Sequence, residues 1–397
     1  MTRPDARPAA LTQAARMAAV QPPVIPIVGR WIRETPGTIS LGQGIVSYPP
    51  PAAVIEAVRG FGDSLEDHRY GPVEGLPALV ARVERKLREE NGIEVARGSR
   101  VVVTAGGNMG FLNAVLAVAD PGDEIVLQAP FYFNHDMAIV MAGCRTVVAP
   151  TRSDYQLDPD AIAAAITPRT RAVVTVSPNN PTGAVYDEAS LRAVNALCRA
   201  RGVYHVHDEA YEYFTYGVRH VSPGRFEDAA AHTISLFSLS KAYGLAGWRV
   251  GYMVIPEALF EAVNKIQDTN LICPPAVSQA AALAALDEGR AFCEPYVRQL
   301  ADVRARVYER LTAIADLVEV PEARGAFYVL LRIRKPVDPF ALCERLVREH
   351  RVAVIPGTAF GVTTEPALRV SYGALAPETV AEGIDRLVTG LRALLGN

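Results

Sequence analysis

The sequence predicts an α/β protein built on a mostly parallel β-sheet that is covered by helices. Between residues 99 and 254, short runs rich in β-branched residues alternate with amphipathic stretches, a pattern typical of strands connected by helices. The predicted strands are 101–104, 124–128, 145–149, 172–176, 203–207 and 233–237. In open sheets of this type, ligands bind beyond the carboxyl ends of the strands. Functional residues are therefore expected in the loops that follow these runs.

The length of the chain indicates a second lobe. At 397 residues it is long for a single hydrophobic core, which predicts one large domain, a smaller one and a cleft between them. One exposed helix is predicted at 76–90, before the sheet. A long helical pattern begins near residue 294, and it is followed by a predicted strand at 326–333 and predicted helices at 339–349 and 377–395.

Composition and charge argue against several classes of protein. Forty basic and 43 acidic side chains leave a formal net charge of −3, so no overall field attracts nucleic acid or an anionic membrane. No apolar run reaches the roughly 18–20 residues that a membrane span needs. The five cysteines are scattered and never form a C-x-x-C pair, which indicates neither a disulfide framework nor a zinc site and favours a cytoplasmic location.

A lysine stands among hydroxyl and glycine residues directly after the last predicted strand of the large sheet. In the segment 238–249, Lys241 follows Ser240 and precedes Arg249 by eight positions. A lysine forms an imine with an aldehyde only as the free amine, so its site must lower the pKa by burial or by a nearby cation. Arg249 would supply that cation, and a guanidinium also suits a phosphate. Taken by itself, the segment is equally compatible with an ordinary loop lysine.

Three further segments supply groups that a phosphorylated pyridine needs. The turn 106–108 follows a strand and opens a predicted helix, so its amides would face an anion. The predicted strand 203–207 leads into the carboxylate pair Asp208 and Glu209, and one buried carboxylate there would keep a pyridine nitrogen protonated. The proline-containing turn 177–183 presents an asparagine side chain at its tip.

Together these segments resemble the class I and II aminotransferases of fold type I, the family that includes aspartate, aromatic and kynurenine aminotransferases. The resemblance covers nearly the whole chain after the first twenty residues, and it includes the segments 21–26, 41–44, 70–75 and 368–373, which stand in the family's order. It implies pyridoxal 5′-phosphate as the cofactor and a seven-stranded, mostly parallel sheet in the large domain, with a smaller α+β domain.

The resemblance also implies how the chain is divided. Residues 1–20 are expected to be a flexible tail, 21–50 an arm that packs with the small domain, 51–290 the large cofactor-binding domain and 291–397 the small domain. The family also implies a homodimer, in which Tyr70 of one subunit reaches the cofactor phosphate of the other.

The resemblance assigns a role to each motif residue. Lys241 is the Schiff-base lysine and proton carrier, Asp208 is the partner of the pyridine nitrogen, and Asn180 and Tyr211 contact the ring hydroxyl oxygen. The other cofactor-binding residues that it implies are Gly106, Gly107, Asn108, Tyr132, Ser238, Ser240, Arg249 and Tyr70.

The same resemblance implies a substrate subsite. Arg369 corresponds to the arginine that binds the α-carboxylate through two hydrogen bonds, Gly44 lies where the backbone closes over the substrate, and Asn180 is also expected to bind the substrate. Tyr132 corresponds to the aromatic residue that stacks on the cofactor ring. Two positions depart from the commonest family pattern: Ser177 stands where an asparagine is usual, and Asn108 replaces a small hydroxyl residue or lysine. Neither departure removes a group that the chemistry needs.

The favoured function is transfer of an amino group from an L-amino acid to a 2-oxo acid such as 2-oxoglutarate or pyruvate. The segment 269–275 has no arginine where the enteric and animal aspartate aminotransferases read a side-chain carboxylate, so neutral, aromatic or sulfur-containing donors are favoured. One alternative is a carbon–sulfur β-lyase, or another elimination or oxidation enzyme, on the same fold. Another is a noncatalytic regulatory protein that binds the cofactor. His205 and His207 are expected to be packing residues rather than metal ligands, and no metal is predicted.

Overall fold

A computed structural model describes residues 11–95 and 98–396. The first ten residues of the predicted tail therefore lie outside the described residues. The rest of the tail is not wholly extended, because Ala15–Ala19 form a short exposed helix, α1. None of the helices in the described ranges is long and apolar enough to cross a membrane.

The described residues form thirteen α-helices and thirteen β-strands. After α1, the helices are α2 (Val24–Glu34), α3 (Ala52–Arg59), α4 (Pro77–Lys86), α5 (Gly107–Val118), α6 (Phe133–Met141), α7 (Pro159–Ala165), α8 (Glu188–Arg201), α9 (Leu239–Ala242), α10 (Phe260–Asn270), α11 (Ala276–Leu311), α12 (Pro339–His350) and α13 (Pro377–Leu395). The strands are β1 (Ile39–Ser40), β2 (Ser99–Thr104), β3 (Glu124–Ala129), β4 (Arg145–Pro150), β5 (Thr170–Val176), β6 (Tyr204–Asp208), β7 (Thr233–Ser238), β8 (Gly251–Pro256), β9 (Val318–Glu319), β10 (Tyr328–Ile333), β11 (Val352–Ala353), β12 (Ile355–Pro356) and β13 (Ala367–Ser371).

The large sheet has seven strands in the order β2-β8-β7-β6-β5-β3-β4. Only β8 runs against its neighbours, so the prediction of a mostly parallel seven-stranded sheet is confirmed. Six strands fall on the six predicted runs. The seventh, β8, was not among those runs, because it is buried along its whole length and has no alternation of apolar and polar residues.

Helices pack against both faces of this sheet. On one face, Phe111 of α5 and Val263 of α10 share a core with Leu127 of β3. On the other face, Leu191 of α8 packs with Val173 of β5 in a separate core. Because apolar side chains occupy both faces, the polar residues that bind ligands are confined to the loops at the strand ends.

The carboxyl ends of four strands meet at one edge of the large sheet. β5, β6 and β7 are parallel to one another, and β2 has the same direction because β8 runs antiparallel to both β2 and β7. The loops that follow these four strands carry the turn at 106–108, the turn at 177–183, Asp208 and Lys241. Segments that are distant in sequence are brought together at this edge.

A second sheet belongs to the C-terminal part of the chain. Its four strands, in the order β12-β13-β10-β9, are all antiparallel, and they lie with α12 and α13. The arm joins this part because β1 pairs with β11 in parallel and α2 packs against α12.

Helices near the predicted boundaries differ from the sequence expectation in their extent. The helical segment Ala276–Leu311 consists of two helices joined at Gly289, whose φ of +66° and ψ of −167° are not helical. The helix expected from residue 294 corresponds to the second of them, whereas the alanine-rich first one was not predicted, because its buried residues occupy more than one face and its helical periodicity is weak. The predicted division after residue 290 falls directly after this break. The helix expected at 76–90 is α4, continued by a π-helical turn at Leu87–Asn91.

Gly183 lies where the large sheet meets the second sheet. Its φ is +72°, and a Cβ there would lie 2.5 Å from Ala323 Cβ and 2.6 Å from the Tyr328 carbonyl oxygen. Gly202 at the end of α8 has a similar φ of +66°, but a Cβ there would have no atom within 4 Å. The two glycines therefore share backbone strain and differ in crowding.

We expect Gly183→Ala to lower the free energy of unfolding by roughly 2–4 kcal/mol, the sum of the left-handed penalty and overpacking. Gly202→Ala is the matched control and is expected to cost only about 1 kcal/mol, because it carries the backbone penalty alone. Urea unfolding followed by circular dichroism measures both values. Equal losses for the two variants would contradict the packing described for Gly183.

Candidate active site

A cavity of about 360 Å³ lies at the carboxyl edge of the large sheet, against the second sheet and the arm. Twelve of the residues predicted for the site form part of its wall: Gly44, Gly107, Asn108, Tyr132, Asn180, Asp208, Tyr211, Ser238, Ser240, Lys241, Arg249 and Arg369. Gly106 immediately precedes the first helical residue of this wall. Tyr70 does not line the cavity, and 79% of its surface is exposed.

Lys241 is held in α9, a single helical turn that follows β7. The turn begins at Ser238, whose side-chain oxygen accepts a hydrogen bond from the backbone N–H of Ser240 at 3.2 Å. Burial, together with the nearby cations Arg249 and Arg369, lowers the pKa of Lys241 to about 8, against the opposing effect of Asp208. The free amine that imine formation needs is therefore accessible near neutral pH.

Asp208 is the last residue of β6 and the one carboxylate in the cavity wall. Its Oδ1 accepts a hydrogen bond from the backbone N–H of Ala210 at 3.0 Å, and its Oδ2 lies 3.2 Å from Nε2 of His135. His135 is buried in α6 and stacks on Phe111, with ring centroids 4.0 Å apart. The carboxylate is therefore fixed from two sides. His135 was not predicted, since only the tertiary fold brings it to Asp208.

A cradle for an anion lies at the beginning of α5. Gly106 has a φ of +82°, and a Cβ there would lie 2.6 Å from Nη2 of Arg249. The guanidinium therefore packs against bare backbone at the point where α5 presents its first N–H groups. Arg249 is oriented by a hydrogen bond from Nη1 to the Ala246 carbonyl at 3.0 Å. Backbone amides, the Ser238 hydroxyl and a guanidinium form a donor set that suits a phosphate.

Tyr132 stands at the first turn of α6, where the wall approaches this cradle. Its hydroxyl accepts a hydrogen bond from Nδ2 of Asn134 at 2.8 Å, and its ring contacts His135 edge-on at 5.3 Å. Burial raises the pKa of Tyr132, so its hydroxyl stays neutral. The aromatic ring is thus held beside the Asp208 group.

Arg369 of β13 lies at the opposite end of the cavity and is 2% exposed. Its Nη1 donates to Oδ1 of Asn180 at 3.0 Å and its Nη2 donates to the Gly42 carbonyl at 2.6 Å, whereas its buried Nε has no hydrogen-bond partner. The rings of Tyr328 and Phe360 lie 4.8 and 4.9 Å from its guanidinium carbon. A buried guanidinium that has an unused N–H, and no acid paired with it among the described residues, can bind a carboxylate.

Tyr211 is buried against the second sheet, and its hydroxyl lies 2.7 Å from the Tyr328 hydroxyl. Burial raises the pKa of Tyr211 well above its usual value. Tyr328 was not predicted as a site residue, because an aromatic residue in a strand has the same sequence pattern as any core aromatic. Other wall residues that were not predicted are Ile25, Gln43, Ile45, Phe133, Val176 and Ala210.

The two strand histidines behave as expected of packing residues. His205 and His207 are fully buried and lie 2.8 and 2.6 Å from the Thr175 hydroxyl, and burial lowers the pKa of His205 to about 3. In a separate group, Glu209, Glu212 and His220 have potential ligand atoms within 4.8 Å of one another.

Other side chains of the protein already contact the group formed by Glu209, Glu212 and His220. Nζ of Lys86 lies 2.5 Å from Glu212, and Nε2 of His220 lies 2.7 Å from Glu209. Asn91 also donates to Glu212 at 2.7 Å. These contacts describe a buried hydrogen-bond network next to the site rather than an open metal centre.

Comparison with known proteins decides the family. The family model described as aminotransferase class I and II matches residues 36–387. The chain belongs to this family. It is 35% identical to the aromatic aminotransferase ISS1 of Arabidopsis thaliana over 94% of each chain. It is 34% identical to the aspartate/prephenate aminotransferase of Thermus thermophilus, over 89% of this chain and 91% of that one.

Solved structures of aminotransferases share the fold. The Thermus thermophilus aspartate aminotransferase with maleate has a TM-score of 0.88 and 31% identity, over 96% of this chain and 100% of that one. The aromatic aminotransferase of Pyrococcus horikoshii OT3 has a TM-score of 0.85 and 30% identity, over 92% of this chain and 99% of that one. The predicted family, fold type and enzyme class are confirmed.

This aminotransferase uses pyridoxal phosphate, as its family does. The cavity fits the cofactor on its own structural grounds: Lys241 supplies a deprotonatable amine, Asp208 a fixed carboxylate, and the Gly106–Arg249 cradle a site for a phosphate. The neighbours reported above are named as aminotransferases, and the lyase and regulatory alternatives are not favoured.

The pKa of Lys241 predicts how the protein without its cofactor reacts with pyridoxal phosphate. With a pKa of about 8, the fraction of free amine rises about fivefold from pH 7 to pH 8 and levels off near pH 9. Borohydride trapping followed by mass spectrometry measures the extent of attachment. Free α-acetyl-lysine is the control, and its reaction is expected to keep rising beyond pH 10. Arg249→Gln should move the Lys241 midpoint upward; a wild-type midpoint near 10.5 would contradict the described environment.

Proposed function

We propose that the cavity transfers the amino group of an L-amino acid with a neutral, aromatic or sulfur-containing side chain to a 2-oxo acid such as 2-oxoglutarate or pyruvate. The set of cations that line the cavity supports this class of substrate. The cations in the cavity wall are Lys241, Arg249 and Arg369, which the amine, phosphate and α-carboxylate roles use up. Within the described part of the chain, no further cation lines the cavity to hold a side-chain carboxylate.

The roles of the cavity residues follow from their positions. Bound pyridoxal phosphate supplies an electron-poor ring that accepts the electrons left when the substrate loses its α-proton. Lys241 would first anchor the cofactor and then, as a free amine, take that proton on Nζ and deliver it to the cofactor carbon that receives the amino group. Asp208, held by Ala210 and His135, keeps the ring nitrogen protonated. Tyr211 contacts the ring oxygen.

The two ends of the cavity fix the orientation of cofactor and substrate. At the α5 end, the phosphate is bound by Gly106, Gly107, Asn108, Ser238, Ser240 and Arg249. At the β13 end, Arg369 binds the α-carboxylate next to Asn180, and Gly44 closes over the substrate. Tyr132 stacks on the ring. With both ends fixed, the α-carbon lies near Lys241, and positioning of this kind supplies a large share of catalysis.

Apolar side chains from the arm and from α6 line part of the cavity. They are Ile25 and Ile45 of the arm and Phe133 of α6. A charged side chain placed there would lose hydration without gaining a partner. The relatives are named both for aromatic and for aspartate substrates, so their names do not decide between donors. The apolar side chains of this wall favour the uncharged donors.

A panel of amino donors tests the substrate class. Each amino acid is added alone to the holoenzyme, and the loss of the bound cofactor's visible absorbance gives the half-reaction rate. We expect kcat/KM for phenylalanine, methionine and leucine to exceed that for aspartate by about tenfold or more, equivalent to about 1.4 kcal/mol. Arg369→Lys is the control; it should raise KM for all donors without changing their order, because the planar fork is lost. Highest activity with aspartate would contradict the proposal.

We also propose that the protein is a homodimer in which Tyr70 of one subunit completes the phosphate site of the other. Tyr70 is 79% exposed and lies outside the cavity of its own chain. Leu65 and Ile272 are exposed apolar residues, at 67% and 41%. Exposed aromatic and apolar residues of this kind are suited to an intersubunit contact.

Mixed dimers test this arrangement. Tyr70→Ala and Lys241→Ala are each expected to have little activity as pure dimers. If Tyr70 acts across the interface, a heterodimer has one intact site, and an equal mixture after re-association recovers about a quarter of wild-type activity. If Tyr70 served its own chain, every site in the mixture would lack one of the two residues, and no activity would return.

The cytoplasm is the proposed location. All five cysteines are free, and Cys144, Cys198, Cys293 and Cys343 are buried. Buried free thiols suit a reducing compartment.

A further inference from the structure

The Tyr328 hydroxyl links the two ends of the cavity. Tyr328 is the first residue of β10, is fully buried and lines the cavity wall. Its hydroxyl lies 2.7 Å from the Tyr211 hydroxyl, and its ring lies 4.8 Å from the Arg369 guanidinium carbon. One side chain therefore contacts both the proposed partner of the cofactor ring oxygen and the proposed partner of the substrate carboxylate.

We propose that Tyr328 is a positioning residue that donates its hydroxyl proton to Tyr211 and so directs the Tyr211 proton at the ring oxygen of the cofactor. This inference rests on the proposed role of Tyr211. It adds a residue that acts on the cofactor through Tyr211, without touching the cofactor itself.

A count of protons supports this direction. Burial raises the pKa of Tyr328 to about 12 and that of Tyr211 well above its usual value, so each phenol carries one proton at neutral pH. The hydrogen bond between them uses one of the two protons. If Tyr328 donates, the remaining proton belongs to Tyr211 and is free for the cofactor. If Tyr211 donates, its oxygen has only lone pairs left for the ligand.

The surrounding charges favour Tyr328 as the donor. The positive charge of Arg369 lies against the Tyr328 ring, so the hydroxyl dipole is more stable with its proton turned away from the guanidinium. Tyr211 is the hydrogen-bond partner that the described residues offer to the Tyr328 hydroxyl. A negatively charged ring oxygen on the cofactor would attract the Tyr211 proton and reinforce the same direction.

Packing fixes the position of the Tyr328 ring. Tyr328 pairs with Ser371 across the β10–β13 ladder, which puts its side chain on the same sheet face as Arg369. The rings of Tyr328 and Tyr211 meet edge to face, with centroids 5.5 Å apart and planes at 83°. A Cβ on residue 44 would collide with the Tyr328 hydroxyl, so the backbone of Gly44 closes the third side. The hydroxyl is therefore held in place before any ligand binds.

The predicted consequence is a change in the proton affinity of the bound cofactor. A hydroxyl that accepts a hydrogen bond becomes a better donor, so Tyr328 strengthens the bond from Tyr211 to the ring oxygen. That bond stabilises the deprotonated cofactor. Loss of the Tyr328 hydroxyl should therefore raise the pH midpoint at which the visible absorbance of the bound cofactor changes.

The experiment is a double-mutant cycle read by absorbance. Tyr328→Phe removes the hydroxyl and keeps the ring, and we expect the midpoint to rise by about 0.3–0.6 pH units. Tyr211→Phe should raise it further. The double variant should match Tyr211→Phe alone, because Tyr328 acts through Tyr211. The signal comes only from molecules that hold the cofactor, so reduced cofactor content does not obscure it.

Tyr186→Phe is the matched control. Tyr186 is also buried, its hydroxyl accepts a hydrogen bond from Nδ2 of Asn179 at 3.2 Å, and it does not line the cavity. The pH midpoint of the absorbance change in Tyr186→Phe should equal that of the wild type. An unchanged or lower midpoint in Tyr328→Phe, or additive shifts in the double variant, would overturn the inference. No shift in Tyr211→Phe would instead contradict the proposed role of Tyr211 itself.

Discussion

The active site depends on a local excess of positive charge. The cavity wall holds Lys241, Arg249 and Arg369 against the single carboxylate of Asp208. Arg249 is exposed, whereas Arg369 is buried, and a buried charge without a partner is costly unless a ligand neutralises it or the group loses its proton. Burial lowers the pKa of both Arg369 and Lys241, but that of Lys241 falls to about 8, so Lys241 is the group that loses its proton. In the proposed function, the two arginines bind a phosphate and a carboxylate.

The sheet topology produces this concentration of charge. Because β8 runs antiparallel to both β2 and β7, the four strands β2, β5, β6 and β7 end at the same edge. The first residues of α5, the single turn of α9 and Asp208 then line one cavity at that edge. The local sequence determines which residue follows each strand, and the sheet determines the distances between those residues.

Some site residues are marked by their neighbours in the sequence, whereas others are marked only by tertiary contacts. This difference explains which of them the sequence could predict. Lys241, Asp208 and the 106–108 turn each follow a recognisable strand, so their positions were predictable from neighbouring residues. His135 and Tyr328 were not, because their significance comes from contacts with Asp208 and Tyr211 that only the folded chain creates. The strand β8 and the start of α11 were obscured because buried segments lack the periodicity that marks half-buried ones.

The cofactor end and the substrate end of the cavity belong to different sheets. Asp208 and Lys241 follow strands of the large sheet, whereas Arg369 lies on the second. Two hydrogen bonds join them inside the cavity: Arg369 to Asn180 at 3.0 Å and Tyr328 to Tyr211 at 2.7 Å. The distance from the substrate carboxylate to the Lys241 amine therefore depends on how the two sheets pack together. Because the rate of proton transfer depends steeply on such distances, residues that join the sheets bear on catalysis without touching the substrate.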